Sequence, residues 1–247
     1  MKNQDSWRPT KFEMRDGRLR ASRDERFVGR GSRWVADLQA QTYEQVLRQY
    51  ARGRLLDVGA GAAPLYGVYG SLADSVTCID WGQGRHDGSY IDHDVDLSGP
   101  IPLESEHFDT IVCTDVLEHL SRPAHLMGEL ARLLAPGGMV LLGVPFMYWL
   151  HEEPHDYHRY TEHRLRELAE EAGLGVERLE AMGGGVDVMI DVVSKHLSRS
   201  RLLSAAWLGL APALSRGARA ADPAGRATRR MPIAYIGVFS RPSANEG

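Results

Sequence analysis

Cysteine is nearly absent. The 247 residues hold two, Cys78 and Cys113, each inside a stretch that reads as a buried strand. That excludes a disulfide-stapled fold and suits small apolar side chains packed in a reducing compartment. No uncharged apolar run reaches the 18 residues of a membrane-spanning helix. The opening Met1-Lys2-Asn3-Gln4-Asp5 lacks the apolar stretch of a secretion signal, so a cytoplasmic location is expected. Strong net charge is missing too, at −4 by formal count. The balance is uneven, however: residues 1–54 hold 13 Lys or Arg against 7 Asp or Glu, and residues 55–194 hold 7 against 24. An acidic centre between basic ends disfavours a nucleic-acid groove on that centre. What is present is a 43% hydrophobic share over a length that suits one α/β enzyme domain.

The stretch from Leu55 to Pro64 is an apolar strand that meets Asp57 and then a turn with glycine at 59 and 61. Glycines there let the backbone approach a ligand where a side chain would collide. A second strand ends at Asp80, 21 residues after Gly59, where a doubly wound sheet places the acid that bonds ribose hydroxyls. Asp57 beside the loop would repel a pyrophosphate, so a neutral or cationic nucleoside ligand is expected.

Strands are predicted near 54–58, 75–80, 108–113, 138–144, 175–181 and 235–239, with helices between most of them. That alternation implies a parallel sheet with its sites at the carboxyl ends of the strands. From Ser32 through Tyr50, Trp34, Val35, Leu38, Tyr43, Val46 and Leu47 recur at helical spacing. Residues 1–31 are polar, arginine-rich and aperiodic, and read as a basic, partly disordered arm ahead of one domain over 32–247.

Asp57, Gly59 and Gly61, with Ala63 where a third glycine is usual, resemble the first motif of the class I S-adenosylmethionine-dependent methyltransferases, of the type 11-like group. The resemblance continues in family order through Phe108–Val112, Leu117-Glu118-His119-Leu120 and Leu133–Gly138, and covers residues 40–182. It implies S-adenosylmethionine as methyl donor and a Rossmann-like, doubly wound, seven-stranded, mostly parallel sheet. An N-terminal helical segment would precede that sheet, and a helical insertion at 183–231 would come before the last strand. The cofactor residues it implies are Asp57, Gly59, Ala60, Gly61, Asp80, Trp81, Asp96, Leu97 and Thr114. Trp81 would stack on the adenine or else pack at the surface. Asp96 with Leu97 fits the spacing to Pro102 better than Asp94 does, and Thr114 would touch the methionine part.

Asp115, Glu118 and His119 stand at i, i+3 and i+4, one face of a helix. The pattern is similar to the acid-x-x-Glu-His of ubiquinone-pathway O-methyltransferases, and such a face could hold Mg or Zn. Structural roles are expected instead: Asp115 capping the helix, Glu118 bound to backbone or an arginine, His119 lining the pocket. No metal ligand is therefore assigned.

The segment Pro145–Thr161 follows the fifth strand, where acceptors bind in resembling enzymes. It combines aromatic rings with His151, His155 and His158. These and His119 are the candidate proton acceptors, because imidazole can take a hydroxyl proton near neutral pH. Arg159 is expected to pair with Asp156, and Thr161 to cap the next helix. In the insertion, the apolar piece around Trp207 could cover the substrate, form a homodimer face, or lie on anionic lipid through its flanking arginines. The expected reaction is methylation of a hydroxyl on a small molecule or glycan. C- or N-methylation of another small acceptor, or a cofactor-binding scaffold without turnover, stays open.

Overall fold

The computed structural model describes residues 1–82 and 88–243. A hairpin of β1 (Phe12–Arg15) and β2 (Arg18–Ala21) precedes helix α1 (Arg33–Tyr50). Next come β3 (Arg54–Val58), the one-turn α2 (Tyr66–Tyr69), β4 (Ser75–Asp80) and the two-residue β5 (His93–Asp94). The alternation goes on through β6 (Phe108–Thr114), α3 (Pro123–Leu133), β7 (Leu134–Pro145), α4 (Glu162–Glu171) and β8 (Gly175–Met182). Helices α5 (Gly185–Leu197), α6 (Arg201–Ala221) and α7 (Arg226–Arg230) stand before the last strand, β9 (Ala234–Ser240).

The main sheet has seven strands in the order β5-β4-β3-β6-β7-β9-β8. Its neighbours are parallel except β9, which is antiparallel to both β7 and β8. The chain steps outward from β3 on one side and then returns to β6 on the other. A crevice therefore opens at the carboxyl ends of β3 and β6, where a doubly wound sheet binds its ligand.

Period-2 alternation divides each strand between two apolar layers. Leu56, Val58, Ile111 and Cys113 face α3 and α4, whereas Leu55, Val112 and Leu141 face α1 and the hairpin. Strands covered on both sides read as unbroken apolar runs, and for that reason their positions were legible from the sequence. Thr161 caps α4 through its hydroxyl, as expected.

The N-terminal arm is a correction. Residues 1–31 are not a loose segment: Phe12, Leu19, Ala21 and Val28 are buried in the layer that also holds Tyr43 and Val46 of α1. Leu19 N donates to the Glu44 carboxylate at 3.0 Å, and the Trp7 indole to Ala63 O at 3.1 Å. In the insertion, the Trp207 indole donates to Ile190 O and Ser194 Oγ, packing α6 against α5. Among the described residues, no helix is long and apolar enough to cross a membrane.

Candidate active site

β3 ends in a loop that folds back on β4: Gly59 N and Ala60 N both donate to Ile79 O, at 2.9 and 3.1 Å. Gly59 has φ +68°, and a Cβ there would lie 2.3 Å from a Val116 methyl, so the position needs glycine. Gly61 N donates to Asp80 Oδ2 at 2.7 Å, which ties the loop to the acid at the end of β4. Ala63, in the place of a third glycine, keeps the left-handed conformation at φ +48°. Asp57 is buried and accepts a hydrogen bond from Tyr69. Burial pushes its carboxyl up to about 7, with Tyr69 opposing the rise and Asp80 adding to it. A carboxyl titrating there repels phosphate less than the sequence suggests.

A cavity of about 610 Å³ is lined by Asp57, Gly59, Ala60, Gly61 and Thr114 on the sheet side, and by Lys11, Phe12 and Phe27 of the N-terminal segment on the other. A second cavity of about 240 Å³ shares Lys11, Phe27, Asp115 and Glu152 with it and adds His119, Tyr148 and His151. The two thus meet just beyond Thr114. Lys11 and Phe27 were missed by sequence reasoning, since nothing in an arginine-rich stretch marks them. A larger open groove lies between the hairpin, α1 and α6, away from the glycine loop and the histidines.

Asp80 holds the loop rather than lining the large cavity; its other oxygen accepts from Trp81 N. Trp81 is 41% exposed and meets His155 edge-on at 5.9 Å. Asp96 and Leu97 are not brought to the cavity. Asp96 accepts from Ser98 N, and Leu97 is buried in the α3/α4 layer. Asp94 does not line it either: the short β5 pairs in register with β4 so that Asp94 lies opposite Asp80 and accepts from Gly82 N at 2.6 Å.

The helical face expected of Asp115, Glu118 and His119 does not form. Asp115 sits at φ +56°, and only Leu117–His119 makes a single 3-10 turn. That swings Asp115 away to meet Lys11 at 3.0 Å, Gln39 at 3.0 Å and Tyr43 at 3.3 Å. Burial works against the Lys11 ammonium, yet Asp115 holds its pKa above the ordinary value. Glu118 turns inward instead, with His119 Nε2 and His151 Nε2 each 3.7 Å from Oε1. Its side chain is fully buried, and neither carboxylate oxygen has a hydrogen-bond partner among the described residues. Burial raises its pKa.

The loop Pro145–Thr161 is fastened onto this turn. Tyr157 N and His158 N donate to Glu118 O, and the Tyr160 hydroxyl donates to Leu117 O. His119 Nδ1 lies 2.7 Å from His155 O; a carbonyl only accepts, so that nitrogen carries the hydrogen and Nε2 is left as the lone-pair side. His151 Nδ1 lies 3.3 Å from Asp156, which the expected Arg159 partner clamps at 2.6 and 2.8 Å. Burial would lower the His151 pKa, but the Glu118 and Asp156 carboxylates raise it above the ordinary imidazole value. The four candidate histidines therefore separate. His119 and His151 share the second cavity, His155 stands beside Trp81, and His158 packs on Tyr160. One ligand atom each of Glu118, His119 and His151 lies within 4.8 Å of the others, a set of two imidazoles and a carboxylate that fits a divalent ion such as Zn better than Mg.

The methyltransferase domain family matches residues 33–179, more than half of the chain. Two relatives are ubiquinone biosynthesis O-methyltransferases. That of Thiobacillus denitrificans is 27% identical over 159 residues, 52% of this chain and 67% of its own length. That of Xanthomonas euvesicatoria is 30% identical over 110 residues, 40% of this chain and 46% of its own. In fold, the S-adenosylmethionine dependent methyltransferase of Mesorhizobium loti superposes with a TM-score of 0.53 at 13% identity, covering 84% of this chain and 100% of that one. The glycine loop tied to Asp80, the antiparallel last strand and the matched domain agree: the chain belongs to the S-adenosylmethionine-dependent methyltransferase family.

Proposed function

We propose that the enzyme methylates a hydroxyl oxygen of a small ring-bearing acceptor, a small molecule or a glycan unit. The observation that carries this reading is the acceptor cavity, which adjoins the cofactor cavity at Lys11, Phe27, Asp115 and Glu152 and has two imidazoles in its wall. The sulfonium already makes the methyl carbon electrophilic, so the main task of the protein is in-line placement. The hydroxyl oxygen attacks that carbon, and the carbon–sulfur bond breaks with its electron pair left on sulfur. The hydroxyl proton passes to His151 Nε2. The resulting imidazolium is balanced by Glu118 at 3.7 Å and Asp156 at 3.3 Å. Relatives named for O-methylation support oxygen as the acceptor atom.

Binding of S-adenosylmethionine and of its demethylated product should be measurable by calorimetry. Asp80→Ala should weaken both by about 1–3 kcal/mol, since the carboxylate that ties Gly61 N and holds the glycine loop in place is lost. No binding by the parent chain at millimolar cofactor would refute the assignment. Binding without methyl transfer to any hydroxyl acceptor would favour a scaffold, and transfer to carbon or nitrogen would move the acceptor atom.

Glu118, His119 and His151 are the residues that would hold a divalent ion, whose chemistry would be to acidify a bound hydroxyl. His151, oriented by Asp156 and Arg159, can take the proton without one, so turnover should survive chelation. Loss of activity in EDTA, restored by Mg or Zn and reproduced by Glu118→Gln, would give the set to a metal.

A further inference from the structure

We propose that α6 and the adjoining face of α5 seat the enzyme on an anionic lipid surface. Helix α6 is built inside out. Over its 21 residues the buried positions are Ser204, Ala211 and Ser215, while Leu203, Leu210 and Leu214 are 56%, 51% and 39% exposed. Leu203, Trp207, Leu210 and Leu214 fall at i, i+4, i+7 and i+11, a single stripe along the helix. Trp207 joins this stripe to α5 through its bonds to Ile190 O and Ser194 Oγ, and α5 adds the exposed Met189 and Val192. A soluble surface helix places its large apolar groups inward and its small or polar ones outward. The reverse arrangement needs an apolar phase, and α6 is not long and apolar enough to cross one.

Charge selects the occupant. Between residues 199 and 231 stand seven Arg against one acid, Asp222. Arg199 and Arg201 sit at the start of α6, and Arg226, Arg229 and Arg230 lie in α7, all exposed. A second copy docked on the same stripe would set two such cationic segments against each other, whereas anionic headgroups neutralise them while the leucines enter the acyl boundary. Helix α5 also reaches the acceptor loop: Lys195 Nζ lies 4.1 Å and 4.8 Å from the ring centres of Tyr148 and Trp149. Trp149 and Leu150 on that loop are themselves 56% and 67% exposed.

Co-sedimentation of the full chain with vesicles of phosphatidylglycerol and phosphatidylcholine, against phosphatidylcholine alone, tests this. Binding is expected at least tenfold stronger on the anionic vesicles and should fall in 0.5 M salt, roughly three times the ionic strength at which surface charges are already screened beyond ~8 Å. The double variant Leu203→Ser/Leu210→Ser should lower partitioning at least tenfold while cofactor binding stays unchanged, because both side chains point outward. Equal or absent binding to the two vesicle types would overturn the proposal. So would a lipid-free dimer in light scattering that the double variant dissolves, since the stripe would then belong to a second copy. Neither readout depends on turnover or on the acceptor.

Discussion

His151→Ala is expected to lower kcat by about 10²–10⁴-fold, the usual contribution of a positioned general base. Michaelis constants for the cofactor should barely move, since His151 lines the acceptor cavity and not the cofactor cavity. The expectation rests on orientation. Asp156 holds one ring nitrogen, Arg159 holds Asp156, and the other nitrogen is directed at Glu118 in the cavity wall. His158→Ala should have a much smaller effect, as that ring packs on Tyr160 outside both cavities. Equal losses from both would mean that the histidines fold the loop and take no proton.

The same base sets the pH profile. His151 has its pKa raised by neighbouring carboxylates, so the protonated, inactive ring persists to a higher pH than an ordinary imidazole would allow. Activity should thus fall as pH drops through a value above 6.5, the ordinary imidazole pKa. Glu118→Gln removes the larger source of the rise and leaves Asp156 alone against burial, so the acid limb should move to lower pH. A limb that stays in place in the variant would separate Glu118 from the base.

The strands, α1 and the glycine loop were legible because each rests on local pattern. Buried parallel strands leave apolar runs, and Gly59 leaves a glycine where the backbone needs φ +68°. The acceptor site was only half legible. Its residue types were visible in Pro145–Thr161, but the meeting of Glu118 with His151 joins segments that only the fold brings together. Helical spacing misled at Asp115, where a single left-handed residue breaks the face that i, i+3 and i+4 would share. Spacing to Pro102 favoured Asp96 over Asp94, yet neither lines the cavity, because β5 pairs Asp94 with Asp80 and Asp96 turns to Ser98 N. The hairpin was hidden for a different reason. Its strands are four residues each, and Arg15, Arg18 and Arg20, turned outward, dominate the composition while few side chains turn in.

That hairpin carries the largest expected effect on stability. Phe12 is 1% exposed, stacks edge-on against Tyr43 at 6.4 Å, and forms part of the cofactor cavity wall. Phe12→Ala should destabilise the protein by about 3–5 kcal/mol in denaturant unfolding, the range for emptying a buried aromatic site. Arg20→Ala, on the exposed side of the same hairpin, should stay within about 0.5 kcal/mol. Cofactor affinity should fall in the first variant and hold in the second, because only Phe12 faces the cavity. A loose arm would make the two substitutions equivalent. An unfolding midpoint unmoved by Phe12→Ala would therefore detach residues 1–31 from the fold and open the cofactor cavity on that side.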